Sequence, residues 1–319
     1  MNMNMNLTRV FPFYNNGLWG YFNDIGQTVV SPIYEDALFF SDGLASIKQG
    51  GKWGFINELG GVVISPQYNE PGYFSEGFAW VESESQHILL SADGQEIIRY
   101  KLTEFDSVDI YYDGLARIMK DQLYGYVNTK GEIVIYPKFE EAGSYSEGLT
   151  LVTDENKETY MLDTTGSKAI LNNNYRLVNN FSDGLAEVLL NNFRPAYIDK
   201  NGTVVLGPFQ HYVGEFSNGF AMVQIGGKFG YMDQSGKIII KPIYESAYIF
   251  KLGVALVLEA EEMFMINKNG DKLYTLRPDA DVDCETYSLN SEIFKVMYGE
   301  KEAYINRFTG KEVFVLPKS

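Results

Sequence analysis

Apolar and glycine positions recur along the chain with a period of about 35 residues. A glycine that is followed by a large apolar residue, and usually then by alanine, returns after 34, 37, 34, 36, 35 and 34 residues. An aromatic residue stands three positions before each of these glycines, and an aliphatic residue stands four positions after it. The seven copies of this first anchor are Gly43, Gly77, Gly114, Gly148, Gly184, Gly219 and Gly253. A register kept through seven copies predicts a tandem-repeat fold.

The residues that follow each first anchor predict antiparallel strands. A second anchor, Asn or Asp followed three positions later by glycine, recurs about 17 residues further on, as in Asn57 to Gly60. This spacing suits a type I turn that ends in a left-handed glycine. Between the anchors, the Gly-Gly hairpin at Gln49 to Lys52 leads into an aromatic strand, Trp53 to Ile56. A third strand ends at a proline such as Pro66, because proline cannot donate to a sheet ladder.

Each repeat is therefore predicted to be a three-stranded antiparallel meander followed by a proline-led connector. Projecting the register to both ends gives nine units, which form a single array over residues 7–319. The units are predicted at 7–42, 43–76, 77–113, 114–147, 148–183, 184–218, 219–252, 253–291 and 292–319. Residues 1–6, which alternate Met and Asn, are predicted to be a disordered tail.

The best-formed repeat resembles the KWG or WG repeat family of tandem β-repeats. The resemblance rests on Gly51 to Asn57, which reads GKWGFIN, within a unit that runs from Phe40 to Tyr68. It extends over residues 7–317, with departures at His87-Ile88, Thr159-Tyr160 and Pro195-Ala196, where Trp-Gly is expected. The resemblance implies a repeat scaffold, and the family carries no catalytic residues to transfer.

The repeat length favours an open array over a ring. Propeller blades usually hold four strands in roughly 40 to 45 residues, and rings commonly have about 4 to 8 blades. Nine units of about 35 residues fit that description poorly. The expected fold is all-β, an open curved β-superhelix or solenoid, and the alternative is a propeller-like ring.

Composition narrows the possible functions. The net charge of −16 disfavours nucleic acid and anionic membranes as partners. No stretch approaches the roughly 18 to 20 apolar residues that span a bilayer, and no secretory signal is apparent. A cytoplasmic location is therefore expected. The single cysteine excludes an intrachain disulfide and a multi-cysteine zinc site.

A few residues could in principle carry chemistry. His87 and His211 are read as substituted packing or rim positions, and Cys284 as a small packing residue. Asp279, Asp281 and Asp283 alternate, so an extended backbone would place their carboxylates on one face, where a hard cation could bind. The favoured interpretation of these aspartates is a solvated acidic connector. No catalytic, cofactor-binding or metal site is predicted.

The function expected from these features is a non-enzymatic scaffold. The chain is predicted to be a monomer that binds a protein or peptide through an extended repeat surface and needs no cofactor. The alternative is a carbohydrate-binding or cell-envelope-associated repeat protein, because the 23 tyrosines, 21 phenylalanines and 3 tryptophans could stack on sugars. The identity of the partner does not follow from the sequence.

Overall fold

The computed structural model describes residues 10–170, 175–288 and 291–317, and these form nine antiparallel sheets. Each sheet consists of one continuous segment of chain, and the sheets are the blades of a nine-bladed β-propeller. The expectation of an all-β chain is confirmed. The predicted tail, residues 1–6, lies outside the described residues.

The strands are numbered in chain order. Blades 1 to 3 contain β1 (Val10–Asn15), β2 (Leu18–Asn23), β3 (Thr28–Tyr34); β4 (Asp36–Ala37), β5 (Leu44–Gln49), β6 (Lys52–Asn57), β7 (Val62–Tyr68); and β8 (Phe78–Ser83), β9 (Gln86–Ser91), β10 (Glu96–Lys101). Blades 4 to 6 contain β11 (Ser107–Tyr112), β12 (Leu115–Lys120), β13 (Leu123–Asn128), β14 (Ile133–Phe139); β15 (Glu141–Ala142), β16 (Leu149–Thr153), β17 (Thr159–Asp163), β18 (Lys168–Ile170); and β19 (Tyr175–Leu177), β20 (Ala186–Leu190), β21 (Pro195–Ile198), β22 (Val204–Leu206). Blades 7 to 9 contain β23 (Tyr212–Ser217), β24 (Phe220–Ile225), β25 (Lys228–Asp233), β26 (Ile238–Tyr244); β27 (Ser246–Ala247), β28 (Val254–Glu259), β29 (Glu262–Asn267), β30 (Lys272–Thr275); and β31 (Ala280–Val282), β32 (Ile293–Tyr298), β33 (Lys301–Asn306), β34 (Glu312–Pro317), with helix α1 (Cys284–Ser288) after β31.

The prediction of three strands per unit is wrong, because the connector supplies a fourth. Seven of the nine sheets have four strands over the described residues. The segment that follows each proline becomes the inner strand of the next blade, as β4 does after Tyr34. In blade 3, Glu70 makes an isolated bridge to Glu82 at the same place. An inner strand can be as short as two residues, so it has no visible alternation in the sequence.

The prediction of an open superhelix is also wrong, because the last blade packs on the first. Phe22 of β2 stacks on Phe314 of β34, with ring centroids 4.1 Å apart and an interplanar angle of 9°. The Tyr304 hydroxyl donates a hydrogen bond to the Pro12 carbonyl at 3.2 Å. Phe11, Phe13 and Phe22 share one buried cluster with Tyr304 and Ile293.

The turn glycines of the second anchor show that the closure has the same geometry as every other blade interface. Each of these glycines packs on the outer strand of the preceding blade, as Gly60 does on Val30, Gly94 on Ile64 and Gly270 on Ile240. Gly26 in blade 1 packs in the same way on Val313 in blade 9. The same packing therefore recurs at every blade interface around the ring. A repeat of about 35 residues is long enough for a four-stranded blade because the hairpins and inner strands are short.

The glycine of the Trp-Gly pair has a steric cause. Gly54 lies opposite a bulge in β7, where Trp53 pairs with Tyr68 but Phe55 pairs with Ile64. A Cβ on Gly54 would lie 2.5 Å from the Ile64 carbonyl oxygen and 2.6 Å from the Pro66 nitrogen. The same clash with the bulged outer strand would arise at Gly20, Gly125 and Gly230. The glycine is therefore required by the bulge that contains the proline.

The departures from Trp-Gly follow the same rule. Ile88 pairs directly with Arg99, and β10 has no bulge opposite it. In blade 6 the glycine lies on the other strand. Ala196 occupies the usual glycine position, and the residue that faces it is Gly207. A Cβ added to Gly207 would lie 3.0 Å from the Ala196 Cβ. A side chain is therefore present only where the facing strand leaves room.

We expect Gly54→Ala to destabilise the protein by about 1 to 3 kcal/mol, because main-chain atoms must move to admit the methyl group. The matched control is Gly214→Ala, in β23, where the nearest atom to a new Cβ is the Tyr212 hydroxyl at 3.4 Å. Urea denaturation midpoints check the prediction. Equal losses in the two variants would contradict the steric explanation.

Buried tyrosines connect neighbouring blades. Tyr21, Tyr126, Tyr197 and Tyr231 each donate a hydrogen bond of 2.5–2.9 Å to a carbonyl in the inner strand of the next blade or directly after it. Burial raises the pKa of Tyr126 to about 12 and raises the pKa of the other three tyrosines as well. The neutral hydroxyl is therefore the form that holds the blades together.

Stability is expected to be lost in alkali. A tyrosine in the unfolded chain titrates near about pH 10, below its folded pKa, so its contribution is complete below pH 10 and falls as pH rises through the folded value. The denaturation midpoint should drop steeply above about pH 10. Tyr126→Phe should make that drop shallower. Tyr136→Phe, at a side chain that is 72% exposed, should leave it unchanged. A flat midpoint up to pH 12 would contradict this prediction.

In the part of the chain that the structure describes, no helix is long and apolar enough to cross a membrane.

Candidate functional site

The two histidines lie in separate blades. His87 is buried in β9, where its Nδ1 is 3.2 Å from a Glu82 carboxylate oxygen and its Nε2 is 3.3 Å from the Phe105 carbonyl oxygen. His211 is partly exposed in the connector before β23, with its ring centroid 5.6 Å from that of Phe209. The structure does not bring the two rings together.

The three alternating aspartates have different surroundings. Asp279 forms an ion pair with Arg277 at 3.1 Å, and Asp281 is exposed on β31. Asp283 caps helix α1, because its Oδ1 accepts the Thr286 N–H at 2.8 Å, and it faces Lys295 at 3.1 Å. Burial by itself would raise the pKa of Asp283, but these two partners lower it below its usual value.

The structure does not bring these aspartates together as a set of metal ligands. Over the described ranges, no group of three His, Cys, Asp or Glu side chains is placed to hold a metal ion. Cys284 is exposed, and its Sγ lies 3.8 Å from the Tyr248 hydroxyl oxygen.

A cavity opens along the inner edges of three consecutive blades, on the inner strand of blade 4 and on the innermost loop residues of blades 3 and 5. Its volume is about 420 Å³, and its lining includes Tyr73, Ile110 and Ser144, which occupy the same repeat position in blades 3, 4 and 5. The inner edges of three blades meet only around the axis of a ring, so this cavity belongs to the central channel. Tyr73 and Tyr112 present rings that are 44% and 42% exposed, beside the buried Trp80.

One ion pair lies in the wall of this cavity. The Asp109 carboxylate accepts hydrogen bonds from Arg117 at 2.7 Å (Nε) and 2.6 Å (Nη2). Arg117 also donates to the Ala142 carbonyl at 2.5 Å and stacks on Tyr124, which fixes the guanidinium between blades 4 and 5. The wall is therefore neutral, and the aromatic faces are its accessible feature.

Carboxylates line part of one end of the channel. The turn between the inner and second strands has an acidic residue at positive φ in five consecutive blades, and its side chain accepts the glycine N–H of the next blade's turn at 2.7–3.0 Å. We call this set the acidic arc; it comprises Asp42, Glu76, Asp113, Glu147 and Asp183. In blades 7 and 8 the same position is Asn218 and Leu252, so the charge is confined to one side of the mouth.

Most of the charge on the acidic arc is uncompensated. Glu147 pairs with Lys200 at 3.1 Å. Within residues 10–170 and 175–288, the other four carboxylates, of Asp42, Glu76, Asp113 and Asp183, have no ion-pair partner, and all four residues are exposed. The channel mouth therefore attracts cations, and the aromatic cavity lies along the inner edges of the same blades.

The sequence did not reveal these residues as a group. Tyr73 stands where blade 2 has Phe39, and Tyr112 stands where blade 2 has Ser41. These two departures from the repeat were the only sign in the sequence that could have singled them out. The link from each acidic turn to the next blade spans about 35 residues and has no local signature.

Comparison with known proteins identifies the repeat. The family described as WG containing repeat matches residues 19–53, 53–85, 124–157, 196–229 and 229–260, just over half of the chain. No curated protein sequence matches.

Several solved structures resemble the chain in fold. One described as the eukaryotic initiation factor has a TM-score of 0.62 at 11% identity, covering 97% of this chain and 96% of that one. AztD from Citrobacter koseri has a TM-score of 0.43 at 10% identity, covering 97% of this chain and 94% of its own. BamB from Moraxella catarrhalis has a TM-score of 0.41 at 9% identity, covering 97% and 93%. At 11% identity, the first likeness shows a shared fold and nothing about function.

Proposed function

The chain belongs to the WG-containing repeat family, and from this premise we propose that it is a non-enzymatic scaffold that binds a basic segment of a protein or peptide at its channel mouth. The observation that carries the proposal is the aromatic cavity along the inner edges of blades 3 to 5, in the same blades as three members of the acidic arc. A monomeric state, the absence of a cofactor and a cytoplasmic location remain predictions.

A lysine or arginine side chain has the chemistry that this mouth selects. It is attracted by Glu76 and Asp113, whose charges are not paired with any cation of the described chain. Inside the cavity it can lie on the faces of Tyr73 and Tyr112, where a cation over an aromatic ring gains about 0.5 to 2 kcal/mol. The net charge of −16 adds long-range attraction for the same partner.

The scaffold itself supports recognition of an extended segment. Side-chain hydrogen bonds link the inner edges of neighbouring blades, as between the Ser41 hydroxyl and the Phe74 carbonyl at 2.6 Å. A preformed site loses little conformational freedom on binding, which favours affinity.

Binding of fluorescent nona-lysine and nona-arginine peptides, measured by anisotropy, tests the proposal. The variants Glu76→Gln and Asp113→Asn remove charge and keep an oxygen that can accept the glycine N–H of the next blade. Together they should weaken binding by about tenfold and flatten its salt dependence. Tyr112→Ala should also weaken binding, and Tyr136→Ala, on the outer strand β14, should not.

Two results would overturn the proposal. One is binding that is insensitive to both the charge and the tyrosine variants. The other is binding of neutral oligosaccharides at Tyr112 in the absence of peptide binding, which would favour the carbohydrate-binding alternative.

A further inference from the structure

The hairpin between β20 and β21 in blade 6 is one residue longer than the corresponding hairpin of blade 2. The distance from the first-anchor glycine to the glycine position of Trp-Gly is eleven residues in blade 2 (Gly43 to Gly54) and twelve in blade 6 (Gly184 to Ala196), and it is also twelve in blade 5 (Gly148 to Tyr160). The longer hairpin carries Phe193 at its tip, with a φ of 60° and a side chain that is 85% exposed.

The fold gains nothing from a phenylalanine at this position. A non-glycine residue in the left-handed region is disfavoured, most of all when it is bulky. The exposed ring removes little apolar surface from water. The hydrogen bonds of the turn come from the main chain, since the Phe193 N–H donates to the Leu190 carbonyl at 2.8 Å and the Leu190 N–H to that of Arg194 at 3.0 Å. Glycine would keep both bonds.

The hairpin forms one wall of a cavity of about 450 Å³. The opposite wall is the connector that enters blade 7, Phe209 to Tyr212. Phe193, Phe209, His211 and Tyr212 surround the space with rings, and Tyr212 is 52% exposed. A cavity of this size accommodates a small organic molecule.

The polar side chains that line this cavity can all donate hydrogen bonds, and none is a carboxylate. Arg194, Gln210 and His211 line it together with Pro195 and the rings. Four other cavities of the described chain each include at least one Asp or Glu, at Asp109, Glu141, Glu104 and Glu70 among others. Arg194 forms no ion pair within the described ranges, on a chain whose net charge is −16.

The acidic groups that act on Tyr212 are not part of the cavity lining. The pKa of Tyr212 is raised by burial and then by the negative charges of Glu187 and Glu215. Neither belongs to the lining, and Glu187 is hydrogen bonded to Asn179 at 3.0 Å. The cationic side of the cavity is therefore the side formed by the hairpin.

We propose that this cavity binds a small organic anion that carries a ring, with the ring against Phe193 and Tyr212 and the anionic group on Arg194 and His211. The planar guanidinium offers paired N–H donors that match a carboxylate or a phosphate. The shared chemistry is a ring with an adjacent anion, which both a sugar acid and a nucleotide possess. The site is separate from the channel cavity and does not depend on the proposed binding of basic segments.

The test measures binding of matched pairs of probes to the full chain by calorimetry. One pair is adenosine monophosphate and adenosine, and the other is trigalacturonic acid and galactotriose. In at least one pair, the anionic member should bind about tenfold more tightly than its neutral partner, as expected when one charge-assisted hydrogen bond is added. The pair that responds identifies the source of the ligand.

Three variants separate binding from folding. Phe193→Gly should weaken binding by about tenfold while the melting temperature stays equal or rises, because glycine suits the positive φ. Arg194→Gln should abolish the preference for the anionic probe. Arg176→Gln, at an exposed arginine of β19 outside the lining, should change neither.

Three outcomes would overturn the proposal. The first is no binding of either anionic probe at millimolar concentration. The second is an equal loss in Arg176→Gln and Arg194→Gln, which would indicate non-specific attraction. The third is a lower melting temperature with intact binding in Phe193→Gly, which would show that the Phe193 ring stabilises the fold and does not contact the ligand. Tyr112→Ala should leave this binding unchanged, so failure here is distinguishable from failure of the proposed function.

Discussion

Cutting the chain after Tyr244 is expected to abolish the native fold rather than to shorten it. The cut removes blades 8 and 9 and exposes two faces that are buried in the ring, one containing Phe11, Phe13 and Phe22 and the other containing Tyr231 and Tyr244. An open array would keep its remaining units, because each unit would need only its neighbours. A closed ring loses the contact between its first and last blades, which we call the seam. Its exposed apolar faces then favour aggregation.

A circular permutant is the matched control for this truncation. Joining the native ends and opening new ones after Tyr244 keeps all nine blades and restores every interface. We expect the permutant to show a cooperative denaturation transition and to remain monomeric in size-exclusion chromatography. The truncated chain should show neither property. A soluble, cooperatively folded fragment of residues 1–244 would contradict ring closure.

Phe22→Ala is expected to destabilise the protein by about 3 to 5 kcal/mol, the usual loss for a buried phenylalanine. The Phe22 ring has no exposed surface and contacts Phe11, Tyr304 and Phe314, with the Tyr304 centroid at 4.7 Å. Two of these partners come from the far end of the chain. The loss of stability in Phe22→Ala therefore measures how much the seam stabilises the ring.

Phe55→Ala, at the interface of blades 2 and 3, provides the comparison. Phe55 is 1% exposed and packs edge-on against Phe74 at 4.9 Å, an ordinary contact between neighbouring blades. Comparable losses in the two variants, measured by urea denaturation, are expected for a ring. A loss below about 1 kcal/mol in Phe22→Ala alone would mean that its face is solvated.

The local structure of the repeat could be predicted from the sequence. Gly43 and Gly60 were assigned to turns, and both have positive φ, at 78° and 79°. The hairpin at Gln49 to Lys52 and the strands on either side of it were also predicted, and Gln49 does pair with Lys52. These features depend on residues close in sequence, where the preferences of glycine, asparagine and proline decide the backbone.

The closure could not be predicted, because it depends on contacts between residues at opposite ends of the chain. A periodic pattern indicates how one unit contacts the next, but it carries no information on whether the ninth unit contacts the first. The contact of Phe22 with Phe314 is of this kind. The inner strands were mistaken for connectors because a two-residue strand such as β4 has no period to detect.

The candidate sites were predictable only as exceptions to the repeat. Tyr73, Tyr112 and Phe193 occupy positions where other units have different residues, so comparing the units with one another would have singled them out. Their grouping into cavities depends on the curvature of the ring. His87, His211 and Cys284 drew attention because of their chemistry, and of these only His211 lines either proposed site.

The seam has a consequence for the order in which the molecule assembles. Other interfaces join residues roughly one repeat apart, so blades can dock in succession as the chain leaves the ribosome, whereas Tyr304 and Pro12 are 292 positions apart and can meet only at the end. Just before that step the chain is an arc with two complementary apolar ends. The end of one arc fits the opposite end of another as well as its own, so refolding at high concentration favours head-to-tail oligomers, and dilution favours rings.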